Sequence, residues 1–233
     1  MVGLAALDPP YFSELDPAMS ESLVPPRFVF RFSLPCGHRD PLWTDKDLEP
    51  KYRLASLAEL DAAATPAEVR AAWSQAGLAF TVLVGGKRQP PWCRANRPDE
   101  SDGLQLWIDT RDVHNVHRAS RFCHRFLFMP TGAGNRLDQP VAQWLPINRA
   151  REQPRASAPG QLQVRSQKRP DGYRLDILIP AAVLTGFDPA EHPRLGFNYA
   201  LIDRELGPQT LSVGSPLPFE EDPSLWPTLE LIV

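Results

Sequence analysis

The chain has 233 residues, 42% of them hydrophobic and 23% charged, which is enough apolar material for a core and excludes wholesale disorder. Its 26 prolines argue against long uninterrupted helices, because an interior proline costs a helix about 3 kcal/mol. A net charge of −3 gives no polyanion binder by charge alone, and no run approaches the ~18 apolar residues of a membrane-spanning helix.

Residues 1–26 are acidic and punctuated by Pro9-Pro10 and Pro25-Pro26, and read as an extended, proline-rich N-terminal arm. The opening MVGLAALDPPYF lacks the basic start and apolar run of a signal peptide. RFVFRFSL at 27–34 alternates Phe28, Phe30 and Phe32 with Val29, Arg31 and Ser33, a strand pattern. A short helix is expected near 56–64. EVRAAW (68–73) and LAFTVLV (78–84) flank a Ser-Gln-Ala-Gly turn and predict a hairpin. After a polar loop at 86–102, GLQLWID (103–109) sets Leu104, Leu106 and Ile108 against Gln105, Trp107 and Asp109. SRFCHRFLF (120–128) places Phe122, His124, Phe126 and Phe128 on one face and Arg121, Cys123 and Arg125 on the other.

Residues 130–160 read as loop, and 161–167 as a strand. GYRLDILI (172–179) turns Tyr173, Leu175, Ile177 and Ile179 inward, and Pro180 opens a helical turn ending near Gly186. Strands at 195–203 and 228–233 close the chain. Many short alternating strands and little helix predict an all-β chain, an antiparallel β-sandwich over 27–233 as a single domain with short helical turns. The face of each strand away from the core is expected to be polar, aromatic or basic.

Charge is unevenly spread. Residues 111–174 hold twelve Lys/Arg against four Asp/Glu, and 175–233 hold two against nine. Either solvated loops partly neutralise each other, or an arginine-rich face binds an anion or polyol. The three cysteines, Cys36, Cys93 and Cys123, show no CxxC and are no disulfide framework. Together with the missing leader they predict a cytoplasmic protein. Cys36-Gly-His38 and His114-Asn-Val-His117 do not repeat at structural-zinc spacing. Cys123 and His124 point to opposite faces of one strand, and His124 is expected to be a hydrogen-bonded core histidine. No haem or other cofactor is expected.

Catalytic signatures such as GxSxG, HExxH or a P-loop are absent from the sequence, so no enzyme is expected. Asp109 and Asp203 each end a strand, where aspartates usually form turns, although two carboxylates are also what a glycosidase requires. Arginine interleaved with aromatics in 111–174 raises single-stranded nucleic acid as a ligand, but the phenylalanines are expected to face the core. Neither a nucleic-acid nor a membrane partner is expected.

EVRAAWSQAGLAFTVLV, a Pro-Trp loop, SDGLQLWID, DGYRLDILIP, RLGFNYALID and DPSLWPTLELIV follow one another in the order and spacing of a known family. The chain resembles the family 9 carbohydrate-binding modules and their DOMON-like relatives over roughly residues 41–233, most strongly over 66–233. The resemblance implies a jelly-roll-like, DOMON-like β-sandwich, usually non-catalytic, that binds sugar ends and often structural calcium. It places the first clamping tryptophan at Pro91-Trp92 and puts Gln105 where the family has an acidic hydrogen-bonding residue. Arg125 takes the place of a strand arginine. Asp222-Pro223-Ser224 matches the family's C-terminal Asp-Pro-Ser, but Glu220 and Glu221 precede it in place of the second tryptophan, and Phe219 is the nearest aromatic.

The expected site is therefore Trp92 stacking on a sugar ring, Gln105 and Arg125 bonding hydroxyls, Trp107 on the same sheet face and Phe219 closing the other side. Under the bland alternative Trp107 packs beneath a loop and the arginines are solvated. Calcium, which needs six to eight clustered oxygens, has candidates in Asp99, Glu100 and Asp102, and in Asp40, Asp45 and Asp47. The leading expectation is a non-catalytic module for a carbohydrate or polyol. The alternative is a protein-interaction or structural domain that keeps the fold without the sugar site.

Overall fold

A computed structural model describes residues 31–57, 65–214 and 217–233. Its strands are β1 (Ser33–His38), β2 (Ala67–Ser74), β3 (Gly77–Val84), β4 (Gly103–Asp109), β5 (Cys123–Ala133), β6 (Gln139–Leu145), β7 (Gln163–Arg169), β8 (Gly172–Pro180), β9 (Arg194–Ile202), β10 (Gln209–Thr210) and β11 (Thr228–Ile232). They join in the order β6-β5-β4-β9-β11-β1-β2-β3-β8-β7, with β10 on β9. The end strands β6 and β7 come into contact, so the sheet curls into a sandwich that is nearly a closed barrel.

The expected β2–β3 hairpin forms in register from Ala67↔Val84 to Ser74↔Gly77. Gly77 turns it with φ +135°, and a Cβ there would meet the Ile179 carbonyl oxygen at 2.1 Å. Alternation drives the core. Leu104, Leu106 and Ile108 of β4, Phe126 and Phe128 of β5, and Tyr173, Leu175, Ile177 and Ile179 of β8 belong to one buried cluster. Phe80 of β3 stacks on Phe197 of β9 with centroids 5.8 Å apart, closing the two halves over each other. His124 is fully buried in the same layer, stacked on Phe126, while Cys123 packs in a separate cluster on the opposite face, as expected.

Several details differ from the expectation. β1 runs parallel to both β11 and β2, so the sheet is mixed. Its strand continues through Pro35, and the β2 ladder begins only beyond it, at Gly37. The expected strand at 27–34 lies mostly outside the described residues, as do residues 58–64 of the expected helix. Part of the stretch read as loop, 130–160, instead forms the end of β5 and the edge strand β6. β6 buries only Val141 fully, which hides its pattern. The turn after Pro180 is a single 3-10 turn, Ala181–Val183.

The outward faces are largely roofed rather than open. Leu42 and Leu48 cover Ala72, Ala79 and Leu178. Trp107 and Ala200 lie under Val213, Phe219 and Trp226. Cys93 covers Leu127, Met129 and Val141.

Candidate ligand-binding site

The segment between β3 and β4 lends residues to two separate clefts. One, of about 330 Å³, is lined by Pro98, Asp99, Arg125, Leu145, Asn148 and Glu220, among others. β4 and β5 pair with Trp107 opposite Arg125, so Gln105, Trp107 and Arg125 do meet on one sheet face. Gln105 Oε1 accepts from Arg125 Nε at 3.1 Å and Nη2 at 2.6 Å, and Asp99 accepts from Nη2 at 2.5 Å. Glu220 stands 3.9 Å away, and the guanidinium lies 5.3 Å from the Trp107 ring. Gln105 is buried, so it orients Arg125 rather than meeting a ligand itself. Arg125 keeps Nη1 without a partner among the described residues. Three pairs, Arg125–Glu220, Arg149–Glu221 and Arg174–Asp176, join the basic and acidic stretches of the chain, so these partly neutralise each other, on strands as well as loops.

Trp107 and Phe219 do not fill the expected roles. Trp107 is fully buried, donates Nε1 to the Glu220 carbonyl, and meets Phe219 edge-on at 5.2 Å. Phe219 is itself only 4% exposed, so neither offers a face to a ring. The bland alternative holds for Trp107: it packs beneath a loop, because Val213, Phe219 and Trp226 close over it.

Trp92 belongs to the other cleft. Half-buried, it shares a space of about 380 Å³ with Lys87, Gln89, Pro90, Asp102, Arg204 and Glu205. Two guanidinium groups lie over its ring, Arg204 at 4.4 Å and Arg94 at 5.4 Å. Behind it is a buried charge cluster. Lys87 Nζ donates to Asp203 Oδ2 at 2.6 Å and Asp102 Oδ2 at 3.1 Å, with Glu205 at 3.8 Å. Burial alone would lower the Lys87 pKa, but its hydrogen bonds to Asp203 and Asp102 outweigh this and hold it above the ordinary value. Asp102 also accepts from the backbone amides of Trp92 and Arg204, and Asp203 from those of Glu205 and Leu206. Glu205 accepts from the amides of Arg88 and Gln89, which pull its pKa down.

Lys87, Arg204 and Glu205 were not expected at the site. Arg94 and Lys87 had a local signal: residues 85–98 carry four cationic side chains and no acidic one around Trp92. Arg204 and Glu205 had none, since the β9–β10 turn reaches the cleft only through the fold.

Calcium does not fit the donors expected to hold it. Asp99 is engaged by Arg125, Glu100 by Arg97 at 3.5 Å, and Asp102 by Lys87, so the three carboxylates do not converge. In the second cluster, Asp45 pairs with Arg165, and Asp47 with Arg70 and Arg174. Among the described residues, no three His, Cys, Asp or Glu side chains are grouped to hold a metal ion. The three cysteines are buried thiols, and burial pushes Cys123 up to about 12.

Two arrangements with a catalytic look fail on geometry. Asp109 lies opposite Gly196, at the far end of the β4–β9 pair from Asp203. Seven residues of strand separate them by about 23 Å, well beyond the ~5–9.5 Å of a glycosidase pair. On the surface, Asp222 and Ser224 approach His117 at 3.0 and 3.1 Å, but both meet Nδ1. A relay needs the carboxylate on one ring nitrogen and the nucleophile on the other.

No protein-family model matches the chain, and no curated protein matches it in sequence. In fold it is similar to a family 9 carbohydrate-binding module from Caldicellulosiruptor kristjanssonii in complex with cellotriose. The TM-score is 0.57 and the identity 14%, over 86% of this chain and 93% of that one. A family 9 module from the same organism in complex with glucose gives a TM-score of 0.56 and 13% identity, over 86% and 96%. The resemblance read from the sequence thus holds at the level of the fold, which at these identities is as far as the likeness reaches.

Proposed function

We propose that the chain is a non-catalytic module that binds a carbohydrate or similar polyol against Trp92. The observation that carries this reading is the placement of Trp92, half-buried in the wall of an open cleft among charged and amide side chains. A pyranose presents C–H groups to an aromatic surface and hydroxyls at its rim. Trp92 supplies the apolar contact, Gln89 and Arg204 supply donors, and Glu205 is an acceptor. The fold is one that also occurs in modules complexed with cellotriose and glucose. Arg125, held by Gln105 and Asp99 in the neighbouring cleft, keeps only Nη1 as a further donor.

Isothermal titration with neutral and acidic mono-, di- and trisaccharides tests the reading. Saturable binding that weakens at least tenfold in Trp92→Leu supports it. A protein folded by circular dichroism that binds no saccharide refutes it. One observation favours a protein-interaction domain as the second reading: the burial of Trp107 and Phe219 removes the second aromatic face from the site.

A further inference from the structure

The two arginines over Trp92 stand apart from the other charges of the cleft. Among the described residues, no carboxylate pairs with Arg94 or Arg204. Arg94 uses one N–H on the Cys93 carbonyl, and the Arg204 guanidinium makes no hydrogen bond among the described residues. The carboxylates nearby are already engaged: Asp102 and Asp203 by Lys87 and backbone amides, Glu205 by the amides of Arg88 and Gln89. The backbone of Arg204 is fixed by the hydrogen bond its amide N–H donates to Asp102 Oδ1 at 2.9 Å, so the side chain starts from a rigid base.

A guanidinium lying on an aromatic ring keeps its N–H groups in its own plane, directed outward. That fork matches a planar, two-oxygen acceptor, and a charge-assisted bidentate pair is roughly twice as strong as a neutral hydrogen bond. A neutral hexose leaves the fork to single hydroxyls. We infer that the Trp92 cleft takes an acidic saccharide, a sugar bearing a uronate carboxylate, with the carboxylate on Arg204 and the ring beside Trp92. This inference rests on the carbohydrate reading above. Lys87, Arg94 and Arg204 equal Asp102, Asp203 and Glu205 in number, so selection comes from the shape of the fork rather than from net potential.

The test pairs sugars that differ only at C6: glucose with glucuronate, galactose with galacturonate, and oligomers of each, titrated calorimetrically into the full chain at low salt. Inorganic sulfate is the bare-anion control. The expected result is at least tenfold tighter binding of the uronate in each pair. Arg204→Gln is expected to abolish that preference while leaving residual binding of the neutral sugar, and sulfate to bind far more weakly than the uronate. Equal affinity for neutral and acidic partners overturns the inference and leaves the carbohydrate reading standing. A uronate preference unchanged in Arg204→Gln, or sulfate binding as tightly as the uronate, also overturns it. No binding of any sugar overturns both.

Discussion

The buried His124 is expected to cost the fold stability as pH falls. Its ring is fully buried, stacked on Phe126, and Nε2 accepts the Thr185 amide at 3.0 Å. The neutral tautomer therefore carries its hydrogen on Nδ1, and a second proton on Nε2 would set two donors against each other. Burial lowers the pKa from 6.5 to about 4. The unfolded chain takes up this proton near 6.5 and the folded chain only near 4, so the contribution is complete above 6.5 and is lost as pH falls towards 4. The loss amounts to about 2 kcal/mol at pH 5 and about 3 kcal/mol near pH 4. His124→Gln keeps an acceptor for Thr185 and removes the titration. Urea unfolding of both proteins at pH 7 and pH 5 should show the wild type losing about 2 kcal/mol more than the variant. Asp109, raised by burial, titrates in the opposite sense but is common to both proteins, so the difference isolates His124. Parallel losses in the two proteins would refute the assignment, whatever their absolute stabilities.

Three further outcomes follow from the packing. Lys87→Met leaves Asp102 and Asp203 buried without their cation and should cost about 3–5 kcal/mol in chemical denaturation; a loss below 1 kcal/mol would mean the cluster is hydrated. Phe197→Ala removes one ring of the stack that joins the two halves of the sandwich and should cost about 3–5 kcal/mol by the same assay. Because every candidate calcium carboxylate except the exposed Asp40 is engaged by a lysine or arginine, excess chelator should leave the unfolding temperature unchanged; a drop of several degrees would place a metal on the protein.

Strands with clean period-two alternation were legible in the sequence. The β2–β3 hairpin, β4, β8 and β9 each carry an apolar face that only one register buries, and the structure uses that register. The meeting of Gln105 with Arg125 was legible for the same reason, since β4 and β5 pair directly. β6 was not, because an edge strand that buries one residue fully has no alternation to show. The burial of Trp107 was not decidable from its own strand either. Its outward face looks open locally and is closed by Phe219 and Trp226, far along the chain. Arg204 reached Trp92 in the same way, through the fold alone.

These cases divide along one physical line. Strand periodicity reports which face of a residue turns from the core, but not whether that face sees water. Here the loops decide. Those at 39–53 and 217–227, with Val213 and with Cys93 of the 85–102 loop, cover outward faces that alternation alone would leave bare. A ligand then meets what those loops present, so specificity is free to change with loop sequence while the sandwich stays as it is. On this chain the 85–102 loop presents a tryptophan beneath two arginines that no carboxylate occupies among the described residues. In the neighbouring cleft it presents Asp99, already closed on Arg125. The open fork at Trp92 and the occupied one at Arg125 predict that ligand binding responds more strongly to substitution of Arg204 than of Arg125. Reversal of that order would move the binding site to the Gln105–Arg125 face.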